Sequence, residues 1–205
     1  MSALPTAVQW SHVMHGPRLR AGDVVVDATA GNGHDSLFLA RAVLPRGHVF
    51  VFDLQSAAIE STRRRLTDHG CGEDPGLALI HAGHEEMSAR IPQEFHGKIK
   101  AIMFNLGFLP GGDKAVITRT DTTMLALAQA LELLAEDGVL TVVIYPGHEG
   151  GHQEGAAIEQ WMATLSSVSF EVQKLAFLNF RPTTPFVIWV RKRSARPPTA
   201  EPDAP

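Results

Sequence analysis

The sequence predicts a doubly wound α/β domain, and three observations predict it. Short apolar runs alternate with segments of helical periodicity from residue 23 onward. Parallel strands need crossover connections, so such alternation builds a mostly parallel sheet covered on both faces. Two adjacent strand-like runs close the chain with a short connection between them, which puts one antiparallel strand at or near an edge. With 205 residues, 44% hydrophobic and 20% charged, the chain is long enough for one domain with a sizeable core.

The elements follow in order. Residues 1–20 read as a helix laid outside the sheet. The run 23–28 (D-V-V-V-D-A) is a buried strand, followed by Gly31 and Gly33 and a helical pattern over 35–43. His48–Asp53 is the second strand, and 55–69 a helix stopped by Gly70. Strands follow at Leu77–His81, 101–105 and 139–145, with a helix over 122–134 that ends near Gly138. A helix over 156–165 leads to the closing strands, 170–177 and 185–190, for seven in all. Residues 1–193 form a single domain, and the proline-rich 194–205 read as a disordered tail.

Composition excludes several classes. The lone Cys71 cannot form an internal disulfide, which argues against a stapled secreted fold. Apolar runs such as 139–145 fall far short of the roughly 20 residues of a membrane helix. No basic start followed by an apolar stretch opens the chain, so no secretory signal is visible and a cytoplasmic location without a membrane partner is expected. A net charge of −4 argues against coating nucleic acid through bulk charge.

In open α/β sheets, ligands bind beyond the carboxyl ends of the strands. The first strand runs into D-A-T-A-G-N-G-H-D (27–35), where two glycines admit close backbone approach and the next helix offers its positive end. The second ends in Asp53, a carboxylate suited to a pair of ribose hydroxyls. A dinucleotide fingerprint wants a third glycine where Ser36 stands. Asp27, Asp35 and Asp53 around the turn would repel a pyrophosphate and suit a cationic amino acid moiety and a sulfonium, which favours S-adenosylmethionine. A tight strand-to-helix turn without a ligand is the plain alternative.

The fourth strand ends N-L-G-F-L-P-G-G-D-K (105–114), similar to the Asn/Asp-Pro-Pro-aromatic signature of amine-directed methyltransferases, with Leu106-Gly107 in place of the prolines. Here Asn105 can accept from a substrate N–H, and Phe108 can stack on a planar ring. The fifth strand delivers Y-P-G-H-E-G-G-H (145–152). His148-Glu149-x-x-His152 matches the zinc signature H-E-x-x-H, but glycine-rich backbone will not hold the helix that chemistry needs, so a loop over the site and no metal are expected. His12 and His15 read as ordinary surface or packing residues. The run 63–65 (R-R-R) reads as a solvated helix face, and Lys114, Arg119 and Arg181 as phosphate contacts should the substrate be RNA.

The chain resembles the MnmM/YtqB-like family, small bacterial methyltransferases long labelled rRNA methylases and associated with wobble-uridine modification in tRNA. The resemblance is carried by 27–35, F-D-L-Q (52–55), H-A-G-H-E (81–85), 105–114, T-T (122–123) and Y-P-G-H-E-G-G (145–151), and spans about residues 8–192. It implies a Rossmann-like class I methyltransferase fold using S-adenosylmethionine and releasing S-adenosylhomocysteine. The implied substrate is the aminomethyl group of aminomethyl-thiouridine at the tRNA wobble position. By the same resemblance Asn32 and Asp35 would hold the methionine portion, Gly31 and Gly33 shape the turn, Asp53 and Gln55 take the ribose, and Gly83 and His84 border the adenine. Asn105, Phe108, Lys114, Tyr145 and His148 are the substrate-side candidates, with Glu85 and Asp113 as supports and His148, or Asp113 through water, as proton acceptor. Asn179-Phe180-Arg181 stands where the family continues with Asn-Gln, a departure that bears on RNA contacts. Methylation of rRNA or of a small-molecule amine, an NAD-dependent oxidoreductase and a non-catalytic RNA-binding module remain as rivals. The sequence leaves the oligomeric state open, and a homodimer that joins basic patches is compatible with it.

Overall fold

The computed structural model describes residues 4–107, 118–147 and 150–194. Seven strands form one sheet: β1 (Val24–Asp27), β2 (His48–Asp53), β3 (Leu77–His81), β4 (Ile99–Asn105), β5 (Leu134–Ile144), β6 (Phe170–Leu175) and β7 (Phe186–Lys192). Their spatial order is β3-β2-β1-β4-β5-β7-β6. β1 to β5 run parallel, and β7 lies antiparallel between β5 and β6. The reversal of order beside β1 is the switch point at which such sheets open a crevice. The helices are α1 (Ala7–His15), α2 (His34–Val43), α3 (Ser56–Asp68), the short α4 (Met87–Arg90), α5 (Thr120–Leu133) and α6 (Gly151–Ala163).

Side-chain alternation along the strands splits the core into two layers. Val25, Val49, Val51, Ala101 and Met103 pack against α2 and α3 on one face. Val26, Phe52, Ile102, Phe104 and Val142 face the opposite way, towards α5 and α6. Burial on both sides is why these strands read as continuous apolar runs.

Elements depart from expectation where glycine and turn chemistry intervene. β5 starts at Leu134 because it carries an irregularity: Ile99 pairs with Leu134 and Ala101 already with Val139. Asp137, at φ 57°, and Gly138 take up the slack. α6 starts at Gly151, five residues earlier than the periodicity predicts. β6 ends at Leu175, so Phe177 belongs to the connection rather than to the strand.

α1 lies on the α2/α3 face and covers β5 and β7, where Ala7 packs on Val143 and Val187. Its start is set by a capping box: Thr6 accepts from the Gln9 N–H while the Gln9 side chain accepts from the Thr6 N–H. His15 anchors its end. That imidazole is wholly buried and hydrogen-bonded to Thr141 Oγ1 at 3.0 Å, and burial pushes its pKa down to about 3. The folded protein therefore holds His15 neutral, whereas the unfolded chain protonates it near pH 6.5. Its stability contribution is complete above pH 6.5 and is lost as pH falls towards 3, at up to about 1.4 kcal/mol per pH unit. His15→Gln, which cannot titrate, should flatten that part of the slope in urea denaturation curves between pH 4 and 7. An unchanged slope would show that other groups dominate.

Candidate active site

A cavity of about 560 Å³ opens at the carboxyl ends of β1, β2, β4 and β5, within the usual size of small-molecule sites. The turn after β1 forms its floor. Gly31 (φ 53°) and Gly33 (φ 76°) both take left-handed backbone, and Gly33 caps α2. A Cβ on Gly33 would lie 2.9 Å from the Thr62 Cα, so the turn sits flush against α3. Arg65 holds the turn from behind, with Nε donating to the Asn32 carbonyl at 2.5 Å and Nη2 donating to His34 Nε2 at 3.1 Å. That overturns the reading of 63–65 as a solvated face throughout: Arg63 and Arg64 are exposed, and Arg65 is structural.

Asp53 is fixed by the backbone. Gly31 N donates to its Oδ2 at 3.0 Å and Gln55 N to its Oδ1 at 2.8 Å. Each oxygen keeps a lone pair for a ligand, and the carboxylate lines the cavity beside the Gln55 side chain. Gly83 and His84 line the neighbouring wall. His84 packs on Phe104 at a ring distance of 5.5 Å, and burial lowers its pKa.

Asp35 marks the other end. It is nearly buried in the first turn of α2 and accepts from His12 Nε2 at 2.6 Å and Asn105 Nδ2 at 3.0 Å. His12 stacks flat on Phe38 at 4.2 Å, so α1 supplies a preset partner for this carboxylate. His12 is therefore not an ordinary surface residue. Asn105 is held at its backbone, where its N–H donates to Thr29 Oγ1 at 2.7 Å. Its Oδ1 is buried without a hydrogen-bond partner among the described residues. Tyr145 lines the same region, its pKa raised first by burial and then by Asp35.

Asp27 does not join the lining. It is fully buried, accepting from Ser36 Oγ at 2.5 Å and from Thr29 N at 3.1 Å. Strand alternation turns it under α2 instead of outward, and burial, reinforced by Asp35, pushes its pKa up. It braces the turn and makes no surface for a ligand. Arg181 is exposed and outside the cavity lining, although Thr183, two residues on, contributes to it. Phe108, Asp113, Lys114 and His148 lie outside the described residues. Gly150, left-handed at φ 78°, is the N-cap of α6, so the helix that carries His152 begins at Gly151.

Sequence reasoning missed Glu154. Only 2% exposed, it accepts from Thr123 Oγ1 at 2.7 Å and Thr118 Oγ1 at 2.9 Å. Thr118 in turn accepts from Gly107 N at 3.1 Å, and both Thr118 and Gly107 line the cavity. This chain of bonds joins Gly107 to Thr118 and both to α6. Thr123, in the first turn of a helix, was the visible signal, and the acid that accepts from it lies 31 residues on.

The floor turn can be tested. Gly33→Ala meets both a left-handed φ and the Thr62 contact, whereas Gly70→Ala meets a similar φ (74°) with nothing within 4 Å. Each should lose about 1–3 kcal/mol from backbone strain, and Gly33→Ala clearly more. Chemical denaturation of both variants reads the difference, and equal losses would refute the close packing of the turn on α3.

Comparison with known proteins agrees with this geometry. The family described as "Putative rRNA methylase" matches residues 49–191. The chain is 35% identical over 193 residues to a chloroplastic tRNA (mnm(5)s(2)U34)-methyltransferase of Arabidopsis thaliana, covering 91% of this chain and 69% of that protein. A solved "putative rRNA-methylase" from Clostridium thermocellum superposes with a TM-score of 0.87 at 38% identity, covering 93% of this chain and 99% of that one. A "putative methyltransferase" from Streptococcus mutans, solved in complex with SAH, gives 0.81 at 30% identity over 92% and 99%. The chain belongs to this rRNA-methylase family and is an S-adenosylmethionine-dependent methyltransferase of the Rossmann-like class I fold.

Proposed function

We propose that the chain methylates the aminomethyl nitrogen of aminomethyl-thiouridine at the tRNA wobble position. The observation that carries this reading is Asn105: a half-buried residue of the cavity lining at a strand end, held by Thr29 and Asp35, whose buried Oδ1 has no partner among the described residues. Such an orphan acceptor is costly unless a ligand N–H completes it. The likeness to the Arabidopsis tRNA (mnm(5)s(2)U34)-methyltransferase supports the choice of nucleic acid over a free amine.

The residues present fit the methyl donor. Asp53, preset by two backbone N–H groups, would accept both ribose hydroxyls, with Gln55 beside it. Gly83 and His84 would flank the adenine, and Asn32 and Asp35 would hold the cationic amino acid end. When bound, the donor supplies an electrophilic methyl carbon on sulfur, so attack by a neutral amine needs no metal. Asn105 Oδ1 would accept one N–H of the substrate amine and so aim its lone pair. Positioning of this kind supplies roughly 7–11 kcal/mol when the geometry is good. The amine must shed a proton before attack, a task we assign to His148 or, through water, Asp113. Tyr145 closes the wall beside Asp35, and Phe108 and Lys114 would serve the RNA side. We read the chain as a cytoplasmic enzyme, with the homodimer as one arrangement of it.

Two measurements test this. The protein with S-adenosylmethionine should add one methyl group to wobble-position aminomethyl-thiouridine in tRNA, read by nucleoside mass spectrometry, and leave rRNA and amine metabolites unmodified. Methylation confined to rRNA or to free amines would overturn the substrate. In calorimetry, Asp53→Ala should weaken S-adenosylhomocysteine binding by about 1–3 kcal/mol, because it removes an acceptor and frees two backbone donors. Unchanged affinity, or thermal stabilisation by NAD and not by S-adenosylhomocysteine, would remove Asp53 from the site as assigned.

A further inference from the structure

The connection between β6 and β7 carries an exposed aromatic stack. Phe177 and Phe180 lie face to face, with centroids 4.6 Å apart and planes 17° from parallel. Phe180 is 56% exposed, and Leu178 between them is fully exposed. Neither ring belongs to any of the three core clusters. Burying a Phe normally stabilises by about 1.5–3 kcal/mol, so a ring left in water gains nothing from the fold.

Its place in the fold gives it a use. Because β7 is antiparallel, the β6–β7 connection comes to the carboxyl edge of the parallel strands: Phe186 pairs with Ile144 at the end of β5, and Leu175 with Val187. Thr183 of the same connection lines the cavity and abuts Gly147, where an added Cβ would lie 3.4 Å from it. Phe180 stands three residues from Thr183, at most about 11 Å along the backbone. Arg181 is exposed beside it. An exposed, stacked ring with an adjacent cation, on the connection that reaches the lining of a nucleoside-sized cavity, matches how proteins hold single-stranded bases. The charge balance points the same way. At a net charge of −4, overall attraction to phosphate is missing, whereas stacking on a base needs no charge.

We propose that Phe180, backed by Phe177, is a stacking platform for an unpaired RNA base next to the nucleotide that enters the cavity, with Arg181 at the adjoining phosphate. This rests on the tRNA reading above. The platform grips the substrate's loop, not its stem, and so favours single-stranded over duplex RNA.

The test uses the full chain and a stem-loop RNA with 2-aminopurine beside the target position. Binding to the unaltered protein should quench the probe's emission, and Phe180→Trp should retain the quench. Phe180→Ala should abolish it and weaken stem-loop affinity about 5- to 150-fold, the range of one lost base stack. S-adenosylhomocysteine affinity by calorimetry should stay within about twofold in Phe180→Ala, and Phe180→Trp should restore stem-loop affinity, which a merely structural role would not allow. If the unaltered protein methylates tRNA and Phe180→Ala binds and quenches equally, the platform is overturned alone. If Phe180→Ala leaves RNA affinity intact and instead dissociates a dimer in sedimentation, the stack is a contact between copies and the platform falls. A protein that neither binds nor methylates the stem-loop overturns the tRNA reading and the platform with it.

Discussion

Asp35 is where distant parts of the chain are tied together. Its two oxygens accept from α1 through His12 and from β4 through Asn105, while its own backbone begins α2 above the glycine turn. A carboxylate this buried is costly unless both oxygens are answered, so the charge demands that α1 and β4 come to it. The demand also runs inward. Asp27 lies in the next layer, and the repulsion of Asp35 adds to burial in pushing its proton affinity up. Of the carboxylates at this end of the sheet, Asp35 and Asp53 line the cavity, and Asp27 beneath them does not.

The sheet explains why so much of this was legible. Strands buried on both faces have few alternatives in register, because a one-residue slip exchanges the two cores. His48–Asp53 and Leu77–His81 coincide with their apolar runs to the residue. Asp53, the glycine turn and Asn105 then follow from the rule that ligands meet strand ends. Asp27 shows the rule's limit: it stands one step before the turn, and alternation aims it at Ser36 under α2. Periodicity alone places the start of α6 five residues late, beyond Gly151 and Gly155. Gly155 is in fact helical, and any side chain there would meet Ile144 Cγ2 at 3.0 Å, so the glycine lets α6 settle on β5.

What stayed hidden is long-range pairing. His12 to Asp35, Arg65 to Asn32 and Glu154 to Thr123 span 23, 33 and 31 residues. Each is a polar side chain on a helix whose local pattern reads as surface, and nothing nearby in the sequence names its partner. They share a function in the fold: none makes the cavity wall, and each holds a piece that does. Arg65 secures the turn, Glu154 secures Thr118 and Gly107, and His12 secures Asp35. Residues that line a site announce themselves by position at strand ends. Those that brace it are visible only once the fold is known.

The distribution of charge leads to a last step. Among the described residues the cavity edge carries Asp35, Asp53 and Glu85, and the one arginine that lines it, Arg119, donates to Asp121 at 2.9 Å and is already paired. Such a cavity attracts a cation and repels a phosphate backbone, so a nucleic acid substrate must offer a single neutral base or a cationic amine to it while its phosphates stay outside. An aminomethyl group on a base meets that condition, and duplex RNA does not. Recognition then has to divide between an acidic pocket for the reacting group and contacts outside it, stacking above all, for the rest of the RNA. The exposed rings of the β6–β7 connection, set at the carboxyl edge of the parallel strands by the antiparallel return of β7, are what such a division requires.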